Sequence, residues 1–232
     1  MNQGPRPALP LPASAPLPLP DDLDARLRAL GVSLDGVATA RLADYLGRLL
    51  AMNTQVNLTA ITDPAEAWTR HALDALTLVP LLAELRAGAS VVDVGSGGGV
   101  PGIPLAIART DLRVTLVEST QKKAAFLSAV ADALGLTNVT VRAERAEELL
   151  KMELRGRFDV ATARAVGRVA VLAPWTVPFV KAGGRALLIK GARADEELVE
   201  AAPVLRHLRC AHEATVATPT GRIVVLRAAS RR

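Results

Sequence analysis

"VVDVGSGGGVPGIPLA", Val91 to Ala106, is the stretch whose reading decides the fold. Three valines and an aspartate lead into five glycines within eight positions, Gly95 to Gly102. A short apolar strand, a glycine loop and the start of an apolar helix form the layout of a nucleotide-binding crossover. Glycine at 95, 97, 98 and 99 permits positive φ and lets a ligand approach the main chain. N–H groups at the following helix start favour an anionic group. Pro101 and Pro104 fit there, because first-turn N–H groups have no intrahelical partner.

Beyond the loop, short Val-rich runs ("RVTLVE", "NVTVRA", "FDVATA", "RALLIK") alternate with helical stretches such as "TQKKAAFLSAVADALG" and "RVAVLAPWTVPFV". Strands alternating with helices predict a doubly wound, mostly parallel sheet covered on both faces. "HEATVAT" and "RIVVLRA", around a Pro-Thr-Gly turn, predict an antiparallel pair at its C-terminal edge. Upstream, residues 21–88 read as a helical lobe. "PDDLDARLRALG" closes on Gly31, and "GVATARLADYLGRLLAMN" carries a stripe of Val37, Leu42, Tyr45, Leu46, Leu49 and Leu50. Asp63 caps a third helix with Pro64 at its first position, and Pro80 kinks or breaks it. Residues 1–20 hold seven prolines and read as a disordered polyproline-like tail. Residues 89–232 form the ligand-binding core.

Composition sets the outer limits. Half of the 232 residues are hydrophobic, enough for a sizeable core, and the single cysteine, Cys210, excludes an intrachain disulfide. No run approaches the ~18 apolar residues that span a bilayer, and the start lacks a secretory pattern, so a cytoplasmic protein is expected. The net charge of +5 suits a nucleic-acid partner only weakly; of 28 bases five are Lys and the rest Arg, which reads as genome-wide base composition. Cys210, in an expected loop between His207 and His212, has no metal-ligand spacing.

The ligand is narrowed by its register with the strand. No Gly-Lys-Ser/Thr follows, which excludes a P-loop, while Gly97 to Gly102 formally satisfies the dinucleotide pattern. Asp93, two residues before Gly95, would repel a pyrophosphate but suit an ammonium. Glu118 ends the second strand 23 residues beyond Gly95, where an acid binds ribose hydroxyls. Ala146 and Glu147, after the third strand, either lie beside an adenine or begin an ordinary solvated helix; spacing weighs the two equally. S-adenosylmethionine is thereby favoured over NAD.

The chain also resembles the bacterial glucose-inhibited division protein B family, the 16S ribosomal RNA guanine-N7 methyltransferases. The resemblance covers residues 22–228. It is carried by "NLTAI" (57–61), "RHALDAL" (70–76), the glycine loop, "LVESTQKKAAFL" (116–127), "RAEEL" (145–149), "RFDVATARAV" (157–166) and "LLIKG" (187–191). It implies a class I methyltransferase (Rossmann-like) fold, S-adenosylmethionine as cofactor, and 16S rRNA, in the 30S subunit or an assembly intermediate, as substrate. No obligate protein partner is implied. Carried over by position, the cofactor would meet Gly95, Val100, Glu118, Ser119, Thr120, Ala146, Glu147 and Arg164. Glu118 stands where the family often has Asp, and Val100 where Leu or Phe is common.

Guanine N7 bears an in-plane lone pair and no proton, so no catalytic base is expected and alignment carries the chemistry. Lys122, Lys123, Arg164 and Lys190 fall at the carboxyl edge of the sheet, where they would hold phosphates. For Lys122 and Lys123 a solvated helix face is an equal alternative. His71 and Asp74, three apart on a helix, face either the substrate or each other. A small-molecule methyltransferase and a non-catalytic RNA-binding relative remain open as rival readings.

Overall fold

The computed structural model describes residues 9–164 and 167–230. The first eight residues of the proline-rich segment and the end of "RFDVATARAV" lie outside them. Seven strands run β1 (Ser90–Val94), β2 (Arg113–Val117), β3 (Val139–Arg142), β4 (Phe158–Arg164), β5 (Val180–Lys190), β6 (Cys210–Thr218) and β7 (Gly221–Ala228). Their order in one sheet is β3-β2-β1-β4-β5-β7-β6. β1 to β5 pair in parallel; β7 is antiparallel to β5 and to β6. The expected doubly wound sheet with an antiparallel C-terminal pair is what forms. The order reverses between β1 and β4, which places the ligand crevice at the carboxyl end of those strands.

Alternation along β1 splits the core in two. Val91 joins one hydrophobic cluster with Val114, Leu116 and Val160, while Val92 and Val94 join another with Val117, Ala161 and Ala163. The second face is covered by α7 (Ala146–Met152), α8 (Val169–Thr176) and α9 (Ala194–His207). The first carries α5 (Gly102–Ala108), α6 (Gln121–Ala133) and the N-terminal helices α1 (Leu23–Ala29) and α2 (Gly36–Asn53). Residues of the 21–88 segment and one sheet face thus share a single apolar cluster.

Local signals set these helices. The Asp35 carboxylate accepts from the Ala38 amide at 2.7 Å to cap α2, and Asp63 accepts from Glu66 at 2.8 Å to cap α3 (Pro64–Ala67). The helix begun at Pro64 then widens into a π-helical turn, Trp68–Leu73, tightens again as α4 (Asp74–Leu76), and gives way to a 3₁₀ turn at Val79–Leu82 around Pro80. The apolar stripe of α2 is buried except at its ends. Val37, in the first turn, is exposed, and Leu50, in the last, is half-buried.

Two expectations are corrected. Residues 9–20 have no regular structure, as their prolines dictate, but they are not a free tail. Leu9, Leu11 and Leu17 pack on the first cluster, the Leu17 amide donates to Ala43 O, and the Trp68 indole donates to Pro18 O at 2.8 Å. Burial of leucines interleaved with the prolines outweighs the lack of ladder donors. Cys210 opens β6 rather than a loop, and burial pushes its thiol up to about 11. Among the described residues no group of three or more His, Cys, Asp or Glu is disposed to hold a metal, and no helix is long and apolar enough to cross a membrane.

Candidate active site

A cleft of about 180 Å³ opens at the carboxyl ends of β1 and β4. Its walls are Gly95 to Gly98 and Val100 from the glycine loop, Leu49 of α2, Leu58 and Thr59, His71 of the π-helical turn, and Arg164 closing β4. The loop is shaped by positive φ at Gly95 (72°), Gly97 (55°) and Gly99 (102°).

The glycines answer two demands, not one. A Cβ on Gly98 would lie 2.7 Å from Leu49, and one on Gly99 would lie 2.7 Å from Ile103 and 3.2 Å from the Tyr45 hydroxyl. On Gly102 it would overlap Leu116. At these three positions the protein itself occupies the space, so Gly99 is withdrawn from the cofactor set. On Gly97 a Cβ would meet only Gly95 O, at 3.9 Å, and Gly97 faces the open cleft. Tyr45, buried in α2, donates its hydroxyl to Gly98 O at 2.8 Å and fastens the loop from behind.

Asp93 does not face a ligand. Alternation puts it on the same face as Val91, beneath α5, where it is 1% exposed. Its carboxylate accepts from Thr162 Oγ1 at 2.9 Å and from the Gly102 amide at 3.3 Å. It therefore caps α5 from inside, and the helix start expected to receive an outside anion is already occupied. Burial pushes its pKa up to about 6. Glu118, just past β2, keeps a ligand-facing role open. It is 7% exposed and accepts from the Gly97 amide at 2.9 Å and the Thr120 amide at 2.7 Å, which fixes the carboxylate beside the glycine loop with lone pairs remaining. Ser119 and Thr120 are exposed beside it, and Ala146 and the exposed Glu147 begin α7 at the end of β3.

Arg164 sits in a collar drawn from three other segments. It donates to Arg70 O, to Asp74 Oδ2 at 3.3 Å and to His71 Nδ1 at 3.0 Å. Asp74 Oδ1 accepts from Thr220 in the β6–β7 turn, and His71 Nε2 lies 2.9 Å from Thr59 Oγ1. Because Arg164 can only donate, His71 Nδ1 is the acceptor, and the imidazole is neutral with its proton on Nε2. Burial, then the Arg164 charge, hold His71 down at about 4. At 2% exposure His71 is a structural member of the collar, not an RNA contact. The Thr59, Thr162 and Thr220 hydroxyls were not signalled by sequence; the parity of Thr162 with Val160 on β4 was the one available clue.

Lys190 is also removed from the phosphate set. Its side chain is 8% exposed, pairs with Glu197 of α9 at 2.8 Å and donates to Gly167 O. Lys122 and Lys123, in the first turn of α6, remain at the ligand edge, exposed and half-buried respectively. Exposed Arg145, preceding α7, and Arg70, 60% exposed, join them there.

The family model for rRNA small subunit methyltransferase G matches residues 38–224. The chain belongs to that family. A curated relative, the ribosomal RNA small subunit methyltransferase G of Sorangium cellulosum, is 64% identical over 222 residues, 96% of this chain and 93% of its own. The relative of the same name in Leuconostoc mesenteroides is 40% identical over 190 residues, 81% of this chain and 80% of its own. Among solved structures, an O-methyltransferase from Bacillus cereus in complex with SAH superimposes with a TM-score of 0.57 at 15% identity, covering 89% of this chain and 96% of that one. The antibiotic-resistance methyltransferase Kmr gives 0.51 at 18%, covering 66% and 93%. At such identities these two show the fold alone, which is the class I methyltransferase fold. As a member of the methyltransferase G family the chain is an S-adenosylmethionine-dependent methyltransferase. The residues fit that cofactor: an open main-chain edge at Gly97, a fixed carboxylate at Glu118, and a guanidinium at the opposite wall.

Proposed function

We propose that this methyltransferase G family member methylates N7 of one guanine in 16S rRNA, within the small subunit or its assembly intermediate, in the cytoplasm. The observation that carries the reading is family membership over 187 residues together with a fitting cleft at the switch point of the sheet.

S-adenosylmethionine supplies an electrophilic methyl group on a sulfonium. The chain's residues bind and align. Gly95 and Gly97 offer bare backbone, Glu118 suits a ribose diol, the Ala146–Glu147 step borders the base, and Arg164 suits a carboxylate. Leu49, Leu58 and Val100 give the cleft apolar walls that limit water. The acceptor nitrogen carries no proton, so alignment replaces a general base. Lys122, Lys123, Arg145 and Arg70 suit phosphate contact. Five of the six aromatic residues are buried, and the sixth, Trp175, packs on the second cluster. Recognition by backbone and shape follows from that, in place of base stacking.

The deciding assay combines purified protein, methyl-labelled S-adenosylmethionine and small ribosomal subunits. Label mapping to a single 16S guanine as 7-methylguanine supports the reading. Label on a metabolite favours a small-molecule enzyme of the same fold, and no transfer to 16S rRNA overturns the reading.

A further inference from the structure

A cationic cofactor and an arginine on the wall of its cleft pose a problem that the collar answers. Arg164 is the one cation among the cleft-lining residues, since His71 serves it as an uncharged acceptor. A guanidinium offers five N–H donors. The Arg70 carbonyl, Asp74 and His71 take three, leaving two for a ligand carboxylate. S-adenosylmethionine carries such a carboxylate, but also a sulfonium. In a partly screened site, an uncompensated positive charge beyond that carboxylate would weaken binding of the sulfonium about tenfold. Asp74 lies behind the guanidinium, 5% exposed, with its other oxygen anchored by Thr220.

We propose that Asp74 is the charge-balancing and positioning residue of the cleft: its pairing with Arg164 lets the guanidinium bind the cofactor's carboxylate without repelling the sulfonium. The proposal rests on the cofactor occupying the cleft between Gly97 and Arg164. The π-helical turn has a role in this arrangement, because it brings the Arg70 carbonyl, His71 and Asp74 together on one guanidinium. Asp93 and Glu118, the other carboxylates near the loop, are engaged by backbone amides and are retained in every variant of the test.

The test is calorimetric binding of S-adenosylmethionine and of S-adenosylhomocysteine, its neutral thioether counterpart, to the full chain at pH 8. Asp74→Asn should raise the ratio of the two dissociation constants (methionine form over homocysteine form) about tenfold. Arg164→Gln should lower the ratio below the wild-type value while weakening both ligands. The double variant should return the ratio to within about twofold of wild type. An unchanged ratio in Asp74→Asn, with both affinities falling together, would overturn the proposal and leave Asp74 a packing residue. If Asp74→Asn does not fold by circular dichroism, Arg164→Gln decides alone: a ratio that does not fall overturns the proposal. Gly97→Val separates the underlying reading. If it leaves both affinities intact, the cofactor lies elsewhere and the site assignment itself has failed.

Discussion

His71 and Asp93 are two buried titratable groups whose shifts pull stability in opposite directions. The His71 imidazole is held near 4 instead of 6.5, so between those values the unfolded chain binds more protons. Stability is therefore lost as pH falls through that window, by up to about 3 kcal/mol. Asp93 is raised from 3.8 to about 6, so the folded chain keeps a proton that the unfolded chain releases. Its contribution is complete below about pH 4 and declines as pH rises through 6, again by about 3 kcal/mol. Urea unfolding from pH 4 to 8 should show His71→Gln relieving the acid-side loss and Asp93→Asn removing the neutral-side decline. Parallel curves for variant and wild type would contradict the burial of either group. At Gly97 the backbone decides: Gly97→Val strains a φ of 55° and fills the open edge, so cofactor affinity should fall below detection by calorimetry.

The glycine loop is an element held from both sides. Glu118 takes the Gly97 amide in front, and Tyr45 donates to the Gly98 carbonyl behind. Removing the hydroxyl in Tyr45→Phe leaves a buried carbonyl unpaired, which should cost about 1–2 kcal/mol of stability and weaken cofactor binding several-fold. Equal affinity in the variant would mean that the loop needs no fastening. The N-terminal strap is a second such element. It runs so close to α2 that a Cβ on Gly47 would overlap the Ala15 carbonyl, and its Pro18 carbonyl takes the indole proton of Trp68, the first residue of the π-helical turn. Gly47→Val should displace the strap and lower the melting temperature by about 3–6 °C. Sequence reasoning read the prolines of this segment correctly as incompatible with ladders, yet missed the leucines between them as anchors.

At the scale of the molecule, the remaining question is which charges meet the RNA. Lys122, Lys123 and Arg145 begin helices at the carboxyl edge of the sheet, whereas Lys190 closes β5 inside an ion pair with Glu197. Binding of 16S rRNA should lose about 0.7–0.9 of salt slope for each of Lys122→Ala, Lys123→Ala and Arg145→Ala. Lys190→Ala should leave the slope unchanged and destabilise the fold, because it leaves Glu197, 16% exposed, with the Val169 amide but without its Lys190 partner. A shallower slope for Lys190→Ala would return that residue to the footprint.

The sequence by itself determined the alternation of strands and helices, the glycine loop at the end of β1, the acid after β2, the antiparallel finish and the family. Each of these is written in spacing of a few residues, within reach of local sterics and hydrophobic period. It missed α9, whose apolar positions are sparse and interrupted by Pro203, left His71 undecided between substrate and packing, and misplaced Asp93, Lys190 and Gly99. Those three share one cause. A glycine may be bare for a ligand or for Leu127 and Tyr45, and a charge at a strand end may face solvent or a partner on another element. Only the tertiary structure brings Thr59, Asp74, Arg164 and Thr220 to one point, because contacts between segments far apart in the chain leave no periodic trace in it.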